Sequence, residues 1–159
     1  MALRKPLVIN AGQVQQLQSG DTLDAPQAGG DIMVLTNDEA GALIQGNVVY
    51  MDAVDGVKKA KGDAAGTSKP VGLSVGTPAA GATGQIMIAG VLTLTTGQWD
   101  AAFGTTGGLT FNTVYYLSAA SAGLGTVTAP TAVGSYVVEL GIALSTTELF
   151  VRIRQTILL

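Results

Sequence analysis

Cysteine and histidine are both absent from the chain. Without thiols there is no disulfide framework and no cysteine nucleophile, and without imidazole there is no Cys/His zinc site and no triad built on a histidine base. Charge is scarce as well: Asp, Glu, Lys and Arg make up 12% of the 159 residues, against a usual share of about 25%. A net charge of −3 and a pI near 4.6 argue against a broad basic face for nucleic acid. Long hydrophobic runs are missing too. Mean hydropathy is high at +0.41, yet Gly, Thr, Ser and Pro break every apolar run well short of the roughly 20 residues a membrane helix needs. The opening Met1–Asn10 carries Arg4 and Lys5 before only a few apolar residues, so no secretory signal is expected. The expected partners therefore include neither nucleic acid nor membrane.

What the chain does have is glycine, at 22 residues, nearly twice ordinary usage of about 7%, together with many Thr, Ala and Val. This suits short strands and tight turns. Period-two runs of β-branched residues bounded by Gly, Asp, Asn or Pro predict strands at Asp31–Thr36, Asn47–Asp52, Val57–Lys61, Val71–Val75, Gln85–Ala89, Val91–Thr95, Val114–Ser118, Gly125–Thr128, Tyr136–Ser145 and Leu149–Ile153. Asp55-Gly56 marks a hairpin turn, since both residues tolerate positive φ. One helical turn is expected at Gln98–Ala102, with Thr96 as its N-cap. The expected fold class is all-β: a small β-barrel or β-sandwich with an extended N-terminal arm and at most one short helix. Residues 1–30 form the arm, because Gln13–Gln18 and the Gly-Asp-Thr-Leu-Asp-Ala-Pro stretch lack a core-forming pattern. Residues 31–159 form one β domain.

Charge divides the chain. Residues 1–69 hold six of the eight bases and eight of the eleven acids, and from Pro70 through Val151 there is no Lys or Arg. A neutral stretch this long points either to surface facing another subunit or to a Thr/Ser/Gly-rich β surface kept wet by hydroxyls. An internal echo also emerges. Gly46-Asn-Val-Val-Tyr50, the Asp55-Gly56 turn and Val71-Gly72-Leu73 parallel Asn112-Thr-Val-Tyr-Tyr116, the Ala122-Gly123 turn and Leu140-Gly141-Ile142. The parallel suggests two related β units, about 46–95 and 112–154.

Little in the sequence specifies a reaction. Asp52 and Asp55 flank a turn, and Asp38-Glu39 follows a strand. Paired carboxylates can serve glycoside hydrolysis or hold calcium, but the spacing is that of polar turns, and no phosphate-binding glycine loop occurs. Lys58, Lys59 and Lys61 read as a solvated strand edge. Trp99 with Phe103 one helical turn later reads as a core plug at one end of a barrel rather than a sugar platform. Tyr115 and Tyr116 must face opposite sides of one strand, one into the core and one toward surface or interface. Arg152 and Arg154 share a strand face, for surface pairing with an acid or for contact with an acidic partner. No catalytic residue, cofactor or metal site is expected.

The segments Arg4-Lys-Pro-Leu-Val-Ile-Asn-Ala-Gly12-Gln-Val-Gln-Gln-Leu-Gln18, Gly46-Asn-Val-Val-Tyr50, Pro70-Val-Gly-Leu73, Gly90-Val91, Val114-Tyr-Tyr-Leu-Ser118 and Ser135-Tyr-Val-Val-Glu-Leu-Gly-Ile-Ala-Leu144 carry a resemblance. Together they make the chain similar to small capsid cement or decoration proteins of tailed bacteriophages. The resemblance implies a non-enzymatic virion protein, made in the bacterial cytoplasm and bound outside the capsid. There it bridges neighbouring major capsid protein subunits, commonly as a homotrimer. Under that expectation the capsid-contacting arm uses Leu3, Arg4, Lys5, Leu7, Val8, Ile9, Val14 and Leu17. Subunit contacts involve the neutral stretch 91–151 with Tyr115, Tyr136, Arg152 and Arg154. Similar modules occur in tail fibres and head fibres, so host attachment is the alternative function.

Overall fold

The computed structural model describes residues 30–159, and the backbone of residues 7–10 and 13–16. The latter are β1 (Leu7–Asn10) and β2 (Gln13–Gln16), an antiparallel hairpin in which Ile9 pairs with Val14 and Leu7 with Gln16. Over these residues the expected extended arm is thus folded back on itself. Pairing its own strands satisfies backbone groups that a lone extended segment leaves to water.

The body holds β3 (Gly30–Asn37), β4 (Val48–Ala53), β5 (Gly56–Lys59), β6 (Pro70–Ser74), β7 (Thr83–Thr93), α1 (Thr96–Phe103), β8 (Val114–Leu117), β9 (Gly125–Thr126), β10 (Tyr136–Val137), β11 (Glu139–Ala143), β12 (Glu148–Arg152) and β13 (Ile157–Leu158). Among the described residues the fold is all-β with one short helix, and the first part of the body is a closed barrel. The ring runs β5–β4–β6–β7–β3 and closes where β3 pairs in parallel with β5, Thr36 opposite Gly56. Closure removes the sheet edges on which chains aggregate. It also corrects the reading of Lys58 and Lys59 as an edge, because β5 is flanked by β4 and β3.

β7 is longer than the two strands predicted on either side of Gly90. Its first half pairs with β6 (Leu73 opposite Met87), and its second half pairs with β12 (Val151 opposite Gly90). β3 runs along β7 from Thr83 to Gly90. Gly90 and Ala89 are paired to β3 and β12 at once, and Met87 and Ile86 to β3 and β6 at once. A strand has two edges, so β6 and β12 lie end to end on one of them and β3 on the other. Gly90 takes φ 114° at the junction, a backbone state that glycine supplies without strain.

From this junction the topology repeats. In the first unit β3 pairs with the first half of β7, β7 with β6, β6 with β4 and β4 with β5. In the second, the latter half of β7 pairs with β12, β12 with β11, β11 with β8 and β8 with β9. The order of pairings is the same in both series, the first beginning at β3 (Gly30) rather than at residue 46, and details recur. Gly46 (φ 82°) and Asn112 (φ 57°) hold the same left-handed conformation two residues before β4 and β8. Gly72 in β6 and Gly141 in β11 sit where a Cβ would overlap the Met87 and Phe150 carbonyl oxygens of the next strand.

One pairing does not recur. β3 closes the first ring onto β5, whereas the end of the second series carries α1 against β9. Thr95, one residue before the expected Thr96, caps it: its hydroxyl accepts from the Gln98 N–H, and the Gln98 side chain returns the bond to the Thr95 N–H. This capping box starts the helix, and Gly104 in the left-handed region (φ 65°) ends it. Trp99 and Ala102 are fully buried and Phe103 nearly so. The Trp99 and Phe103 rings are 5.0 Å apart, and Phe103 and Tyr115 are 5.2 Å apart. Phe103 presses on Gly125 of β9, where a Cβ would lie 2.6 Å from its ring. The expected aromatic pair is therefore a core element, packed against Tyr115 of β8 and Gly125 of β9.

Two cores follow from period-two alternation. Leu35, Leu43, Val49, Val57 and Ile86 fill the closed barrel. Val48 and Met87, the strand neighbours of Val49 and Ile86, face the other way and with Leu73 join Trp99, Tyr115, Leu140 and Leu149 in the larger cluster. The walls β4, β6 and β7 are apolar on both faces, which makes one folding domain of the two units.

Candidate interaction surface

The second unit buries one face of its sheet and presents the other. Along β12 burial alternates strictly: Leu149 and Val151 point inward, Glu148, Phe150 and Arg152 outward. Phe150 is opposite Val91 on β7 and Ile142 on β11, and Ile142 is opposite Val114 on β8. These four form an apolar row across the outer face, in which Phe150 is 37% exposed and the aliphatic residues are half-buried. Leu144 and Phe111 lie beyond it, both exposed, tied to the same corner by the Asn112 N–H donating to the Ala143 carbonyl.

Charge is placed at the two margins of this row. On one side, Glu139 accepts from Arg154 Nε at 3.1 Å and has Arg152 at 3.6 Å, so two guanidinium groups share one carboxylate. On the other side stands Glu148, which has no cation partner among the described residues. Beside the arginines, Tyr116, Val137, Glu139, Arg154, Gln155 and Ile157 line a groove of about 400 Å³. Its far wall is the β10–β13 ribbon, where Tyr136 pairs with Leu158 and Val137 with Ile157. Ile157 and Leu158 are each 59% exposed.

The sequence-derived sites fall unevenly on this geometry. Arg152 and Arg154 are together, at the margin of the outer face. Tyr136 is half-buried in β10 and its N–H donates to the Gly62 carbonyl, away from the apolar row. Tyr115 must be corrected: it is wholly buried, its hydroxyl accepts from the Thr110 N–H at 2.9 Å, and it has no surface to offer a subunit. Its neighbour Tyr116 is the outward member of the pair. Leu3, Arg4, Lys5 and Leu17 lie outside the described residues. Leu7, Val8, Ile9 and Val14 lie in the hairpin, of which only the backbone is described. Sequence reasoning missed Phe150 and Glu148, although Glu148-Leu-Phe150-Val-Arg152 alternates openly enough to have revealed them.

The acidic residues weighed for chemistry have local partners. Asp52 bonds Lys58 at 2.6 Å and accepts from the Tyr50 hydroxyl, and the lysine bond holds its carboxyl below the usual range. Partial burial and then the Asp52 charge push the Tyr50 phenol up. Asp55 turns the β4–β5 hairpin at φ 59°. Glu39 accepts from the Lys59 N–H, fixing the loop after β3. Asp100 on α1 accepts from the N–H groups of Gly107 and Gly108 and from the Thr105 hydroxyl, and these bonds, the Gly108 one first, keep it more acidic than usual. Among the described residues no group of three or more Asp or Glu side chains is placed to hold a metal ion, and no helix is long and apolar enough to cross a membrane. Comparison of the sequence with protein-family models and with curated proteins finds no match.

Proposed function

We propose that this chain is a structural protein of a tailed-phage virion that binds the outer surface of the capsid and stabilises the shell by bridging neighbouring major capsid protein subunits. The observation that carries the reading is the division of the described residues into a charge-poor double β unit with an apolar outer face and an N-terminal hairpin whose second strand is rich in glutamine. A scaffold of this kind works by presenting surface. Most acids and bases among the described residues are engaged in turns, loop hydrogen bonds and ion pairs, and the outer face carries an apolar row. Capsid binding through the hairpin would leave the body to contact other copies of the chain in a homo-oligomer. Any protein that binds only the assembled shell stabilises that shell by mass action, and many weak contacts on one particle reinforce one another through effective concentration.

The test is the copy number per particle, by quantitative mass spectrometry of purified virions against the major capsid protein. About one copy per capsid subunit is the expected result. A few copies per particle would overturn the proposal in favour of a fibre module for host attachment, and absence from virions would overturn both.

A further inference from the structure

We propose that the outer face of β7, β12, β11 and β8 is a two-fold interface with a second copy of this chain, in which Glu148 of each copy meets Arg152 of the other. The inference stands whether or not the chain decorates a capsid, and it assigns two-fold pairing in place of the three-fold assembly that the resemblance implies.

The argument begins with the order of three residues. Glu148, Phe150 and Arg152 point outward from one strand, so they lie in a line with the acid and the base each about 7 Å from the aromatic ring at the usual rise per residue. Lay a second copy face to face on the first, related by a two-fold axis running along the apolar row. That rotation keeps Phe150 over the partner's Phe150 and exchanges the two margins. Glu148 then faces the partner's Arg152, and the partner's Glu148 faces Arg152. Packed sheets keep their strands within about 30° of one another, so the charged side chains stay within reach. The same residues packed without that exchange would set acid on acid and base on base.

Two further observations favour a copy of this chain over a different partner. Within the protomer the charges are unbalanced in the way such a pair corrects: two arginines share Glu139, while Glu148 has no cation among the described residues. The row itself, Val91, Phe150, Ile142 and Val114, is uncharged, and interfaces between identical subunits carry an apolar, charge-depleted core with a polar rim. An interface of this kind is self-complementary by symmetry.

The test uses the full chain and two charge reversals, Glu148→Arg and Arg152→Glu, followed by sedimentation equilibrium over a concentration series. Wild type is expected at twice the 16.0 kDa chain mass. Each reversal alone puts like charges across both contacts and is expected to weaken the dimer about tenfold or more. Mixed in equal amounts, the two variants restore both contacts in a heterodimer, so the mixture is expected to return to the dimer mass with near wild-type affinity. Circular dichroism of each variant checks that the outward substitutions leave the fold intact. Should either variant misfold, Phe150→Glu replaces the pair and is expected to give a folded monomer. A monomeric or trimeric wild type overturns the proposal, as does a mixture that stays as dissociated as its components.

Discussion

Trp99 belongs to the larger core cluster and not to the one that fills the closed barrel, so its removal is expected to loosen the second unit and spare the barrel. The side chain is fully buried, packs at a tilt against Phe103 with ring centroids 5.0 Å apart, and donates from Nε1 to the Thr147 carbonyl at 2.9 Å. Burying a ring of this size removes roughly 150–250 Å² from water, worth about 4–6 kcal/mol at about 25 cal/mol per Å². Aromatic-to-alanine changes in cores cost about 3–5 kcal/mol, so Trp99→Ala is expected to destabilise by about 4 kcal/mol. For a chain of this length that is a fall in Tm of about 8–16 °C. Trp99→Phe is milder, because the Thr147 carbonyl still accepts from the Leu94 N–H at 2.9 Å; its loss is about 1 kcal/mol for the bond plus the missing volume. Calorimetry measures the sum, and hydrogen exchange by mass spectrometry locates it. In Trp99→Ala, exchange should rise in Val114–Leu117 and Glu139–Arg152 while Gly30–Asn37 and Gly56–Lys59 keep their protection. A loss below about 1 kcal/mol, or an equal rise in both units, would refute the view that Trp99 anchors a core separate from the barrel's.

Gly72→Ala and Gly141→Ala should each destabilise by about 2 kcal/mol, since both would drive a Cβ into a neighbouring carbonyl, whereas Gly66→Ala, with open space around it, should stay within about 0.5 kcal/mol; urea titration measures all three. Asn112→Val forces a β-branched residue to φ 57° and is expected to lose about 1–2 kcal/mol, with Asn112→Gly close to neutral. Asp100 is more acidic folded than unfolded, so its contribution is complete above the unfolded pKa of about 3.9 and disappears as pH falls through the folded value. The urea midpoint of wild type should therefore drop more steeply than that of Asp100→Asn between about pH 5 and pH 2, and parallel curves would refute the assignment.

Much of the fold was legible because its signals are local. Asp55 turns its hairpin at positive φ, although Gly56 already begins β5, the Trp99–Phe103 pair marks a core element by size and helical spacing, and the repeated Val-Gly-Leu and Leu-Gly-Ile steps record two glycines under the same steric demand. What escaped depended on neighbours distant in sequence. Gly90 reads as a break between strands, yet β7 continues through it because β3 and β12 hold its two edges. Tyr115 and Tyr116 are equivalent to any local rule, and Phe103 and the Thr110 N–H decide which one turns inward. β13 is two residues long and exists through its pairing with Tyr136–Val137. The outer face was within reach of simple alternation, but exposed apolar residues gain meaning only once four strands set them in register.

The shared strand also governs how the molecule bears load. Because β7 is one covalent segment gripped by β6 and β12 in succession, a pull along its axis sets both gripping ladders sliding together, so their hydrogen bonds resist side by side. A pull across it would peel them one at a time. A chain stretched between two anchors in the first direction would behave as a stiff tie, and no joint between the units could lengthen before one ladder sheared.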